Sequence, residues 1–477
     1  MNKNIFKKIP GAPDLIFKDD ERIETYREDT MMRGDPEAVL RARDEHDVKE
    51  ALIFCNQNKI PLTFCASQTS MTGASVAKQG LLLSIEKLEG VMDIHKFQKR
   101  YCVTVKPGTV VADLQQTVAQ AGFFYPIAPT SRDECRIGGN VSTNATGEDS
   151  FKYGALRKYV RRLCLILANG SEKVLERNPQ ETSIIDENFG GYLTNWQNPL
   201  DLIIGSEGTL AYIAEITLEL LPPSPDFFSA LIPFNFNQKG LEFLLSKIQN
   251  KTKQIRTLEF IDQGAYQAMK TADGFNEFPE EVQALVYYKT EYNDDQDKQT
   301  ELEKLYQTAL EFCPKTLLDK ILVADTPKQK EQFRLWRHRI PEWANEQGHA
   351  YWPNGGGKVG SDWWVPTKHL LEMMKFFYEQ AKASNLPHMA YAHLGRGHPH
   401  TNLIARNAQE KQKAEQVLLN CCQKAVELGG GVAGEHGLGK LHTNLLPIQY
   451  SKNIIEKMRA WKKEYDPNWI LGIGNIF

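Results

Sequence analysis

Apolar residues fall into short runs along the first part of the chain, and segments of helical spacing separate them. Runs of this length, bounded by polar turns, predict strands. Asp44 is placed to cap a helix after the first run, and a second helix follows Pro107 and stops at Gly122. The chain therefore begins by alternating strands with helices. The predicted strands lie at 39–41, 60–64, 80–85 and 101–105.

The pattern changes near residue 222, which indicates a domain boundary. Residues 161–168 and 213–221 still predict strands, and Pro222 and Pro223 close the second of them. Beyond the prolines the pattern is typical of an α+β layer, in which antiparallel strands carry helices on one face. The predicted strands lie at 228–234, 257–261 and 282–289, and the predicted helices at 238–249 and 296–312.

The sequence pattern of the last third of the chain predicts helices and strands on both sides of a histidine-rich stretch. Thr326 is placed to cap a helix, and residues 360–366 predict a strand. Residues 388–404 form one strand-like stretch that carries four of the eleven histidines. Helices predicted at 408–428 and 450–464 complete the chain.

Residues 136–147 (RIGGNVSTNATG) stand out because they are unlike a core element. Three glycines, two asparagines and three hydroxyl residues leave only Ile137 and Val141 as large apolar groups. We expect this stretch to form neither a core strand nor a helix, and to lie against a ligand such as a flavin ring or a nucleotide diphosphate. A plain surface loop is the alternative. The short polar donors are Asn140, Ser142, Thr143 and Asn144.

Two further turns have the composition of ligand-binding loops. Residues 65–73 (CASQTSMTG) directly follow a predicted strand, where main-chain N–H groups could hold a phosphate. Residues 205–209 (GSEGT) form a second glycine-rich turn. The turn at 65–73 could also be a simple connector.

Composition narrows the class of protein. The formal net charge of the 477 residues is -3 with no long charge run, which argues against nucleic-acid binding. The eight cysteines include no CxxC pair, which argues against zinc ribbons and iron–sulfur clusters. No apolar run has the length of a membrane span, and the N-terminus breaks at Pro10 and Gly11 before a signal-like core forms. We therefore expect a cytoplasmic protein, with peripheral membrane contact left open.

The C-terminal part carries a set of metal-binding side-chain types. His393 and His400 are seven residues apart, and Glu435 and His436 follow a glycine run. Two imidazoles and a carboxylate suit Zn²⁺ or Mn²⁺ with open positions for a substrate. A polar edge strand is the alternative interpretation of the histidines.

The order of these motifs resembles the FAD-dependent flavoproteins of the vanillyl-alcohol-oxidase type, in their D-2-hydroxyacid dehydrogenase branch. The resemblance covers residues 35–477 and rests on IPLTFCASQTSMTG, RIGGNVSTNATG, IIGSEGTLAYIAEITLEL, HLGRGHPH and AGEHG. It implies an α+β fold with three parts. These are a two-part FAD-binding domain of the PCMH type at 1–222, with a polar arm at 1–34, an antiparallel-sheet substrate (cap) domain at 223–404, and a C-terminal helical segment at 405–477 that completes the active site.

The resemblance also implies which residues bind FAD. We expect the cofactor to be non-covalent, because the polar loops lack the histidine or cysteine of covalently flavinylated relatives, apart from Cys65 and Cys135 at their edges. The implied FAD-binding residues are Cys65, Ala66, Ser67, Gln68, Thr69, Ser70, Pro129, Thr130, Gly138, Gly139, Asn140, Ser142, Thr143, Asn144, Glu207, Gly208 and Ile213.

The same resemblance assigns the chemistry. It implies that His393, His400 and Glu435 hold a divalent metal, Zn or Mn, and that His436 takes the proton of the substrate hydroxyl. In LWRHRIPEW it gives the substrate carboxylate to Arg339.

Several residues depart from the family pattern. The loop at 65–73 reads CASQ where arginine and glycines are usual, and Arg396 and His398 stand where an aspartate and an asparagine are common. Lys358 is two residues out of register with a substrate lysine of the D-2-hydroxyglutarate enzymes, and Asn475 replaces a lysine.

The predicted function is FAD-dependent oxidation of a D-2-hydroxy acid to the 2-oxo acid, by hydride transfer from C2 to flavin N5. Tryptophans near the carboxylate anchor favour an apolar substrate side chain. The electron acceptor is left open among a quinone, an electron-transfer protein and a cytochrome, and a homodimer is one open oligomeric state. The alternatives are a flavin-dependent transferase of the alkylglycerone-phosphate synthase kind and a non-catalytic flavin-binding module. The tryptophans are Trp343, Trp352, Trp363 and Trp364.

Overall fold

The computed structural model describes residues 3–11, 14–181, 187–188, 190–250, 253–275 and 278–477. The chain forms two compact units, each assembled from separate segments. Unit 1 comprises Met1–Gly147, Ala155–Ser224 and Ala433–Phe477, and unit 2 comprises Glu148–Gly154 and Pro225–Val432.

The strands of unit 1 are β1 (Leu15–Phe17), β2 (Ala38–Arg41), β3 (Leu62–Cys65), β4 (Leu81–Ser84), β5 (Val91–Phe97), β6 (Arg100–Val105), β7 (Val160–Ile166), β8 (Glu172–Glu176) and β9 (Tyr212–Glu219). The strands of unit 2 are β10 (Asp226–Phe234), β11 (Ile255–Ile261), β12 (Ala284–Tyr292), β13 (Leu322–Ala324), β14 (Gly357–Ser361), β15 (His388–Ala392) and β16 (His400–Ala405).

The α-helices are α1 (Glu45–Asn58), α2 (Val111–Gln120), α3 (Ile137–Thr143), α4 (Ser150–Tyr153), α5 (Leu200–Ile203), α6 (Asn237–Gln249), α7 (Gln263–Met269), α8 (Asp295–Phe312), α9 (Pro327–Ala350), α10 (Leu370–Ser384), α11 (Ala408–Glu427), α12 (Leu446–Gln449) and α13 (Lys452–Tyr465). Short 3-10 helices lie at Lys3–Lys8, Glu21–Tyr26, Leu156–Lys158, Lys315–Lys320, Trp352–Asn354, Thr367–His369, Leu394–Arg396 and Thr443–Leu445.

Unit 1 contains two sheets. The first has the order β1-β2-β4-β3, with β2, β4 and β3 parallel and β1 antiparallel. The second has the order β5-β6-β9-β7-β8 and is antiparallel. The predicted cap of α1 is confirmed, since the Asp44 side chain accepts the N–H of Asp47 at 3.0 Å. Val48 and Leu52 of that helix pack with Leu40 and Leu83 in one apolar core.

The N-terminal arm is more structured than its polar composition indicated. Strand β1 pairs with β2, so the arm supplies an edge strand of the first sheet. Phe6, Ile16 and Ile23 are buried. Their burial explains why the arm is ordered, because large apolar side chains gain free energy when they leave water.

The glycine-rich stretch at 136–147 is helical in part, so the prediction that it avoids a helix was wrong. Residues 137–143 form α3, and Ile137 and Val141 are both buried. These two residues are four apart, which is the spacing of one helix face. Asn144 ends the helix with a left-handed φ of 52°. Glycine content misled the prediction because packing of two apolar residues outweighs weak helix propensity.

Unit 2 contains one antiparallel sheet of seven strands in the order β13-β10-β12-β11-β15-β16-β14. The predicted α+β class is confirmed by these layers of sheet and helix. Two predicted strands differ in detail. The stretch 388–404 is a hairpin of β15 and β16, because Leu394–Arg396 turns between them, and β14 ends at Ser361 rather than continuing to 366.

The two faces of this sheet have opposite character. Phe260 of β11 faces α6, where it lies against Gly240. Glu259 and Thr257 point to the other face, opposite Tyr287 and Lys289 of β12. This second face is buried and polar, and α9 covers it through contacts described below.

The C-terminal residues belong to both units. Helix α11 lies in unit 2, whereas α12 and α13 lie in unit 1, with the division after Val432. The single segment expected at 405–477 is thus divided in the structure. Among the described helices, none combines the length and the apolar character that crossing a membrane requires.

Candidate active site

The loop after β3 has features of a ligand-binding loop within unit 1. Residues 66–70 are half-buried, Cys65 is buried, and Gln68 adopts a left-handed φ of 55°. The Ser67 hydroxyl is buried, yet no group in the described part of the chain hydrogen-bonds to it. Buried polar atoms are normally paired, so this hydroxyl points to a ligand. This loop contains the predicted residues Cys65, Ala66, Ser67, Gln68, Thr69 and Ser70.

Helix α3 places its two glycines in different surroundings. Gly138 packs tightly, because a Cβ there would lie 2.6 Å from Cβ of Pro107. At Gly139 no described atom lies within 4 Å of the place that a Cβ would take. The main chain at Gly139 is therefore open to close approach by a ligand.

The hydroxyls of α3 are engaged inside the helix. Ser142 donates to the Gly138 carbonyl at 2.9 Å, and Thr143 donates to the Gly139 carbonyl at 3.3 Å. Each hydroxyl proton is therefore engaged within the helix, whereas each hydroxyl oxygen can still accept a hydrogen bond from a ligand.

The two predicted asparagines of this stretch are both buried. The Asn144 side chain accepts the N–H of Arg157 at 2.9 Å and donates to Asn188 at 3.1 Å. It thus ties the end of α3 to two other segments of unit 1. Asn140 lies one turn earlier, at 5% exposure.

Glu207 joins α3 to the C-terminal loop of unit 1. Its N–H donates to the Ser142 carbonyl at 2.8 Å. Its carboxylate accepts the N–H groups of Leu438 and Gly439 at 2.8 and 2.6 Å. These bonds show that the side chain holds the loop in place, a structural task that the predicted role in FAD binding did not include.

The remaining predicted FAD residues lie around these elements. Gly208 has a left-handed φ of 68°, and Ile213 is a buried residue of β9 paired with Leu165. Pro129 is half-buried and accepts the N–H of Arg132 at 2.9 Å, whereas Thr130 is exposed.

The Glu435–His436 pair lies in the same C-terminal loop. Thr146 donates a hydrogen bond to the Glu435 carboxylate, whose Oε1 is 3.4 Å from Nε2 of His436. The His436 carbonyl accepts from the Thr72 hydroxyl at 3.4 Å. Asn188 donates to the Gly434 carbonyl at 3.3 Å. The loop is thus fixed from several sides of unit 1.

Unit 2 gathers three histidines at the β15–β16 hairpin. The His393 ring centroid lies 6.0 Å from that of His398 and 5.3 Å from that of His400, and the latter two are 5.1 Å apart. Nε2 of His398 is 2.8 Å from Oδ1 of Asp362. Ligand atoms of Asp362 and His400 lie within 4.8 Å of each other. Asp362 and His400 therefore have ligand atoms at the spacing of a metal site, and the rings of His393 and His398 lie beside them.

A buried carboxylate supports the histidine cluster from the sheet. Oε1 of Glu259 is 2.9 Å from Nδ1 of His393, and Oε2 accepts from Nε of Arg337 at 2.9 Å. Burial alone would raise the pKa of Glu259, but Arg337 and His393 outweigh it and lower the pKa to about 2. Glu259 is therefore an anion at all ordinary pH values. An anionic carboxylate beside Nδ1 of His393 favours a proton on that nitrogen, which would leave the Nε2 lone pair for chemistry.

The same polar face holds a second ion cluster. Lys289 donates to Glu148 at 2.7 Å, and Nε2 of His338 is 2.8 Å from the other oxygen of that carboxylate. Arg256 donates to Asp149 at 2.7 Å. Burial disfavours the Glu148 anion, but Lys289, His338 and Arg337 hold its pKa well below its usual range. The face therefore balances buried cations with buried anions.

The two arginines of LWRHRIPEW point to different surroundings. Arg337 is 2% exposed and binds Glu259. Arg339 donates to both oxygens of Glu346 at 2.6 and 2.7 Å and to Thr271 at 2.9 Å. A substrate carboxylate at Arg339 would have to replace Glu346. Residues two apart lie about 200° apart around a helix axis, so only one arginine faces the polar sheet.

Six other residues singled out by sequence have clear places. Arg396 is half-buried, and its N–H donates to the His393 carbonyl at 2.9 Å. Lys358 is buried and donates to Asn345 at 2.5 Å, and burial lowers its pKa to about 8. Trp363 is buried and Trp352 is 39% exposed beside His349. The remaining two, Trp343 and Trp364, are half-buried.

Comparison with known proteins identifies the family. Residues 229–476 match the model for the C-terminal domain of FAD-linked oxidases. Residues 36–176 match the model for an FAD-binding domain. The chain belongs to the FAD-linked oxidases. The resemblance stated from sequence is confirmed, and the protein is an FAD-dependent oxidoreductase.

Relatives of this FAD-linked oxidase align along nearly the whole chain. It is 28% identical to D-lactate dehydrogenase of Anaerostipes hadrus, with 99% of this chain and 96% of that protein covered. It is 26% identical to glycolate oxidase subunit GlcD of Bacillus subtilis (strain 168), with 95% and 92% covered.

Solved structures show the same fold. A 4-ethylphenol oxidase from Gulosibacter chungangensis has a TM-score of 0.72 at 15% identity, covering 99% of this chain and 96% of that one. An alkyldihydroxyacetonephosphate synthase has a TM-score of 0.69 at 14% identity, covering 99% and 84%. At such identities the likeness concerns the fold alone.

The described residues of unit 1 offer places for the FAD that the family models indicate. An unsatisfied hydroxyl at Ser67 and open space at Gly139 are places for a ligand. Burial raises the pKa of the Cys65 thiol to about 12, and burial also raises the pKa of Cys135. Protonated thiols are poor nucleophiles, so neither is set up to bond a flavin.

Sequence reasoning missed four residues of the unit 2 site. His398 and Asp362 belong to the histidine cluster, and Glu259 and Arg337 support it. For Glu259 the available signal was a charged residue inside the apolar segment TLEFI. A charge at alternate strand positions is usually solvated, and only the burial of both sheet faces shows otherwise.

Proposed function

We propose that this FAD-linked oxidase oxidises a D-2-hydroxy acid to the 2-oxo acid. The observation that carries the proposal is the histidine cluster of unit 2, with Asp362 beside His398 and Glu259 beside His393. Such a set suits a divalent ion, which would bind and polarise a hydroxyl and its neighbouring carboxylate. The names of the relatives, D-lactate dehydrogenase and a glycolate oxidase subunit, agree with this substrate class.

FAD, when bound, supplies the hydride acceptor at N5 of its ring. We assign its binding, without a covalent bond, to the loop at 65–70, to α3 and to the turn containing Glu207 and Gly208. The open main chain at Gly139 and the buried Ser67 hydroxyl support this assignment.

His436 is proposed to take the proton of the substrate hydroxyl. Imidazole is the side chain whose ordinary titration lies nearest to neutral pH, which suits a general base. The Glu435 carboxylate 3.4 Å from Nε2 orients the ring and stabilises the imidazolium formed when the proton arrives.

A divalent ion, Zn or Mn, is proposed to bind His393, His400 and Glu435, with Asp362 and His398 as further donors. Such an ion lowers the pKa of an alcohol that it binds. Two local observations support the donor set: Asp362 and His400 are within ligand spacing, and Glu259 orients His393. The motif resemblance adds Glu435 to the set.

The arginine for the substrate carboxylate has two candidates, and each of them binds a glutamate in the structure, Glu259 for Arg337 and Glu346 for Arg339. The sequence resemblance gave this role to Arg339, whose guanidinium is held by Glu346. We propose Arg337 for it, because Arg337 is buried on the polar face beside Glu259 and Tyr391. A guanidinium fork matches a carboxylate in shape and charge.

The finer proposals concern the substrate side chain and the redox partner. We keep an apolar side chain as the prediction, supported by the half-buried rings of Trp343 and Trp364. The electron acceptor is proposed to be a quinone, an electron-transfer protein or a cytochrome, and a homodimer remains a prediction.

An anaerobic bleaching assay tests the proposed function. The purified holoenzyme is mixed with a panel of D- and L-2-hydroxy acids that differ in side chain, and flavin absorbance is followed. D-acids should bleach the flavin and L-acids should not. Flavin that no acid reduces would contradict the proposal and favour a transferase or a non-catalytic flavin protein. Acid precipitation should leave the yellow flavin in the supernatant.

A further inference from the structure

The segment that follows β3 is held by residues from both ends of the chain. Asp29, in the N-terminal arm, accepts the N–H of Gly73 at 2.9 Å. Asn475, near the C-terminus, donates to the Ala74 carbonyl at 3.0 Å. Residues 65–75 form this segment, which we call the β3 loop. A loop fixed from two sides has its main-chain groups set in place before a ligand arrives.

Lys440 is the third residue that holds the β3 loop, and it is 8% exposed. Its N–H donates to the Thr72 carbonyl at 2.9 Å. Its ammonium group donates to the carbonyls of Gly73 and Ala74, each at 3.3 Å, and to Oδ1 of Asn475 at 2.7 Å. The three donors of the ammonium group are thus matched by three acceptors, all of them uncharged.

The positive charge of Lys440 lacks a close counter-ion. Within the described residues no carboxylate forms a salt bridge with its ammonium group. Burial is the main effect on this group and lowers its pKa to about 8, Lys78 lowers it further, and Glu207 and Asp29 raise it. A buried charge with only neutral partners destabilises the folded protein. Such charges occur most often at functional sites.

Two hydroxyl groups of the β3 loop make no hydrogen bond to the described residues. Ser67 and Ser75 have buried hydroxyl oxygens, and neither finds a hydrogen-bond partner in the part of the chain that the structure describes. These hydroxyls lie near the two ends of the loop. A ligand with several acceptor oxygens would satisfy them, and an anion would balance the nearby ammonium group.

We propose that Lys440 is a positioning residue for the diphosphate of FAD, which it serves by holding the carbonyls of the β3 loop and by placing a positive charge behind it. The inference rests on the proposed function, because it takes the β3 loop as the diphosphate-binding loop. Lys440 is not assigned a direct contact with the cofactor. Its effect on FAD acts through the loop and through the field of its charge.

A set of variants separates the charge of Lys440 from its hydrogen bonds. Lys440→Arg keeps the charge, Lys440→Gln keeps donors without charge, and Lys440→Met removes both. Lys462→Met is the matched control, since Lys462 is also a buried lysine of unit 1, but it pairs with the Asp466 carboxylate at 2.5 Å and donates to Thr209 and Leu471 carbonyls.

The measurement is the dissociation constant of FAD from apoprotein, followed by quenching of flavin fluorescence, with the near-ultraviolet circular dichroism of each apoprotein as a check of folding. At pH 7 we expect Lys440→Gln and Lys440→Met to weaken FAD binding about tenfold or more. Lys440→Arg should stay within a few-fold of wild type. Lys462→Met should leave FAD affinity nearly unchanged in folded protein.

A second measurement needs no variant and so does not depend on their folding. FAD affinity of the wild-type protein should fall as pH rises through about 8, since the ammonium group then loses its charge. Glu207, Asp29 and Lys78 are the charged groups that face it. The Lys440→Gln variant should lack this decline.

Affinity that is equal in wild type and a folded Lys440→Gln variant, with no decline near pH 8, would overturn the inference. A protein that binds FAD in that way would still leave the proposed function intact. A wild-type protein that binds no FAD, or binds FAD that no hydroxy acid reduces, would instead contradict the proposed function itself.

Discussion

Glu259 lies 2.9 Å from Nδ1 of His393, and its other oxygen accepts a hydrogen bond from Arg337. One buried carboxylate therefore connects the histidine cluster to helix α9. Because His393 has Nδ1 directed to Glu259, its Nε2 is the nitrogen presented for metal or proton chemistry. The orientation of a functional imidazole thus depends on a strand residue that lies outside the histidine motifs.

Glu259→Gln should destabilise unit 2 at neutral pH by about 3 to 5 kcal/mol, because it leaves Arg337 buried without its counter-ion. The folded-state pKa of Glu259 is lowered to about 2, so its contribution is present above the unfolded pKa and is lost as pH falls toward 2. The difference in the free energy of unfolding between wild type and variant should become smaller as pH falls over the same range. Urea unfolding at several pH values, followed by tryptophan fluorescence, measures it.

Glu346→Gln is the matched control for this prediction, since it removes the exposed partner of Arg339. Exposed ion pairs contribute about 1 kcal/mol or less. A variant at Glu259 that is no less stable than the one at Glu346 would show that the buried pair does not stabilise unit 2.

The two arginines of α9 give a direct comparison. Arg337→Lys should lower kcat/KM for a D-2-hydroxy acid about a hundredfold or more, because an ammonium group cannot hold Glu259 and a carboxylate as a planar fork does. Arg339→Lys should change kcat/KM by only a few-fold, since Arg339 binds Glu346 and Thr271. Steady-state kinetics with an artificial electron acceptor measures both. A larger loss of kcat/KM for Arg339→Lys than for Arg337→Lys would assign the binding of the substrate carboxylate to Arg339.

The sequence predicted most local elements because their signals are local. Asp44 and Thr326 cap α1 and α9 as their residue types indicated. The histidines at 393 and 400 could be selected because their type and spacing are unusual. Helix α3 was missed, since its glycines argue against a helix while the burial of Ile137 and Val141 depends on tertiary packing.

Long-range placement could not be predicted in the same way. Glu259 and Lys289 alternate with apolar residues in their strands, and this pattern usually marks a solvated face. Only the folded chain shows that α9 covers that face. The sequence also cannot fix which of Arg337 and Arg339 points inward, because a shift of two residues turns a helix by about 200°.

Lys358→Met should stabilise unit 2 by about 1 to 3 kcal/mol at pH 7, because it removes a buried charge that donates its hydrogen bond to the neutral Asn345. Burial lowers the folded-state pKa of Lys358 to about 8, from an ordinary value of 10.5. The unfolded chain binds more protons between these values, so wild-type stability should rise with pH there. The variant should lack this rise.

Lys289→Met is the contrasting variant for Lys358. Lys289 is also buried, but it donates to the carboxylates of Glu148 and Asp149. Its removal should destabilise the unit, since two anions lose their cation. Urea unfolding measures the change in the free energy of unfolding for each variant. Changes of the same sign would show that an amide partner and a carboxylate partner do not differ in their effect on a buried lysine.

Glu435→Gln should lower bound metal and turnover together while FAD occupancy stays near that of wild type. The amide keeps the shape of the side chain but loses the charge that attracts a divalent ion. Elemental analysis and flavin absorbance of the same sample measure metal and FAD. Asp362→Asn tests the donor that only the structure revealed, and it should also lower metal content. Active wild-type protein without metal would exclude this role for both residues.

His436→Ala should slow flavin reduction about 10²-fold to 10⁴-fold, the usual contribution of a positioned general base. Substrate binding should change much less, because the proposed carboxylate anchor is another residue. In wild type, kcat/KM should rise with pH through an ionisation that the variant lacks. Rapid mixing of enzyme and substrate under anaerobic conditions, repeated across pH, measures both properties.

A metal-bound hydroxyl that titrates nearby would produce a similar limb in the pH profile, so the rate and the profile must be compared in the same variant. Loss of the limb together with a slow reduction assigns the base to His436. A limb that persists in a slow variant assigns the ionisation elsewhere and leaves His436 with an orienting task beside Glu435, 3.4 Å away. A reduction rate within a few-fold of wild type at neutral pH would remove His436 from catalysis altogether.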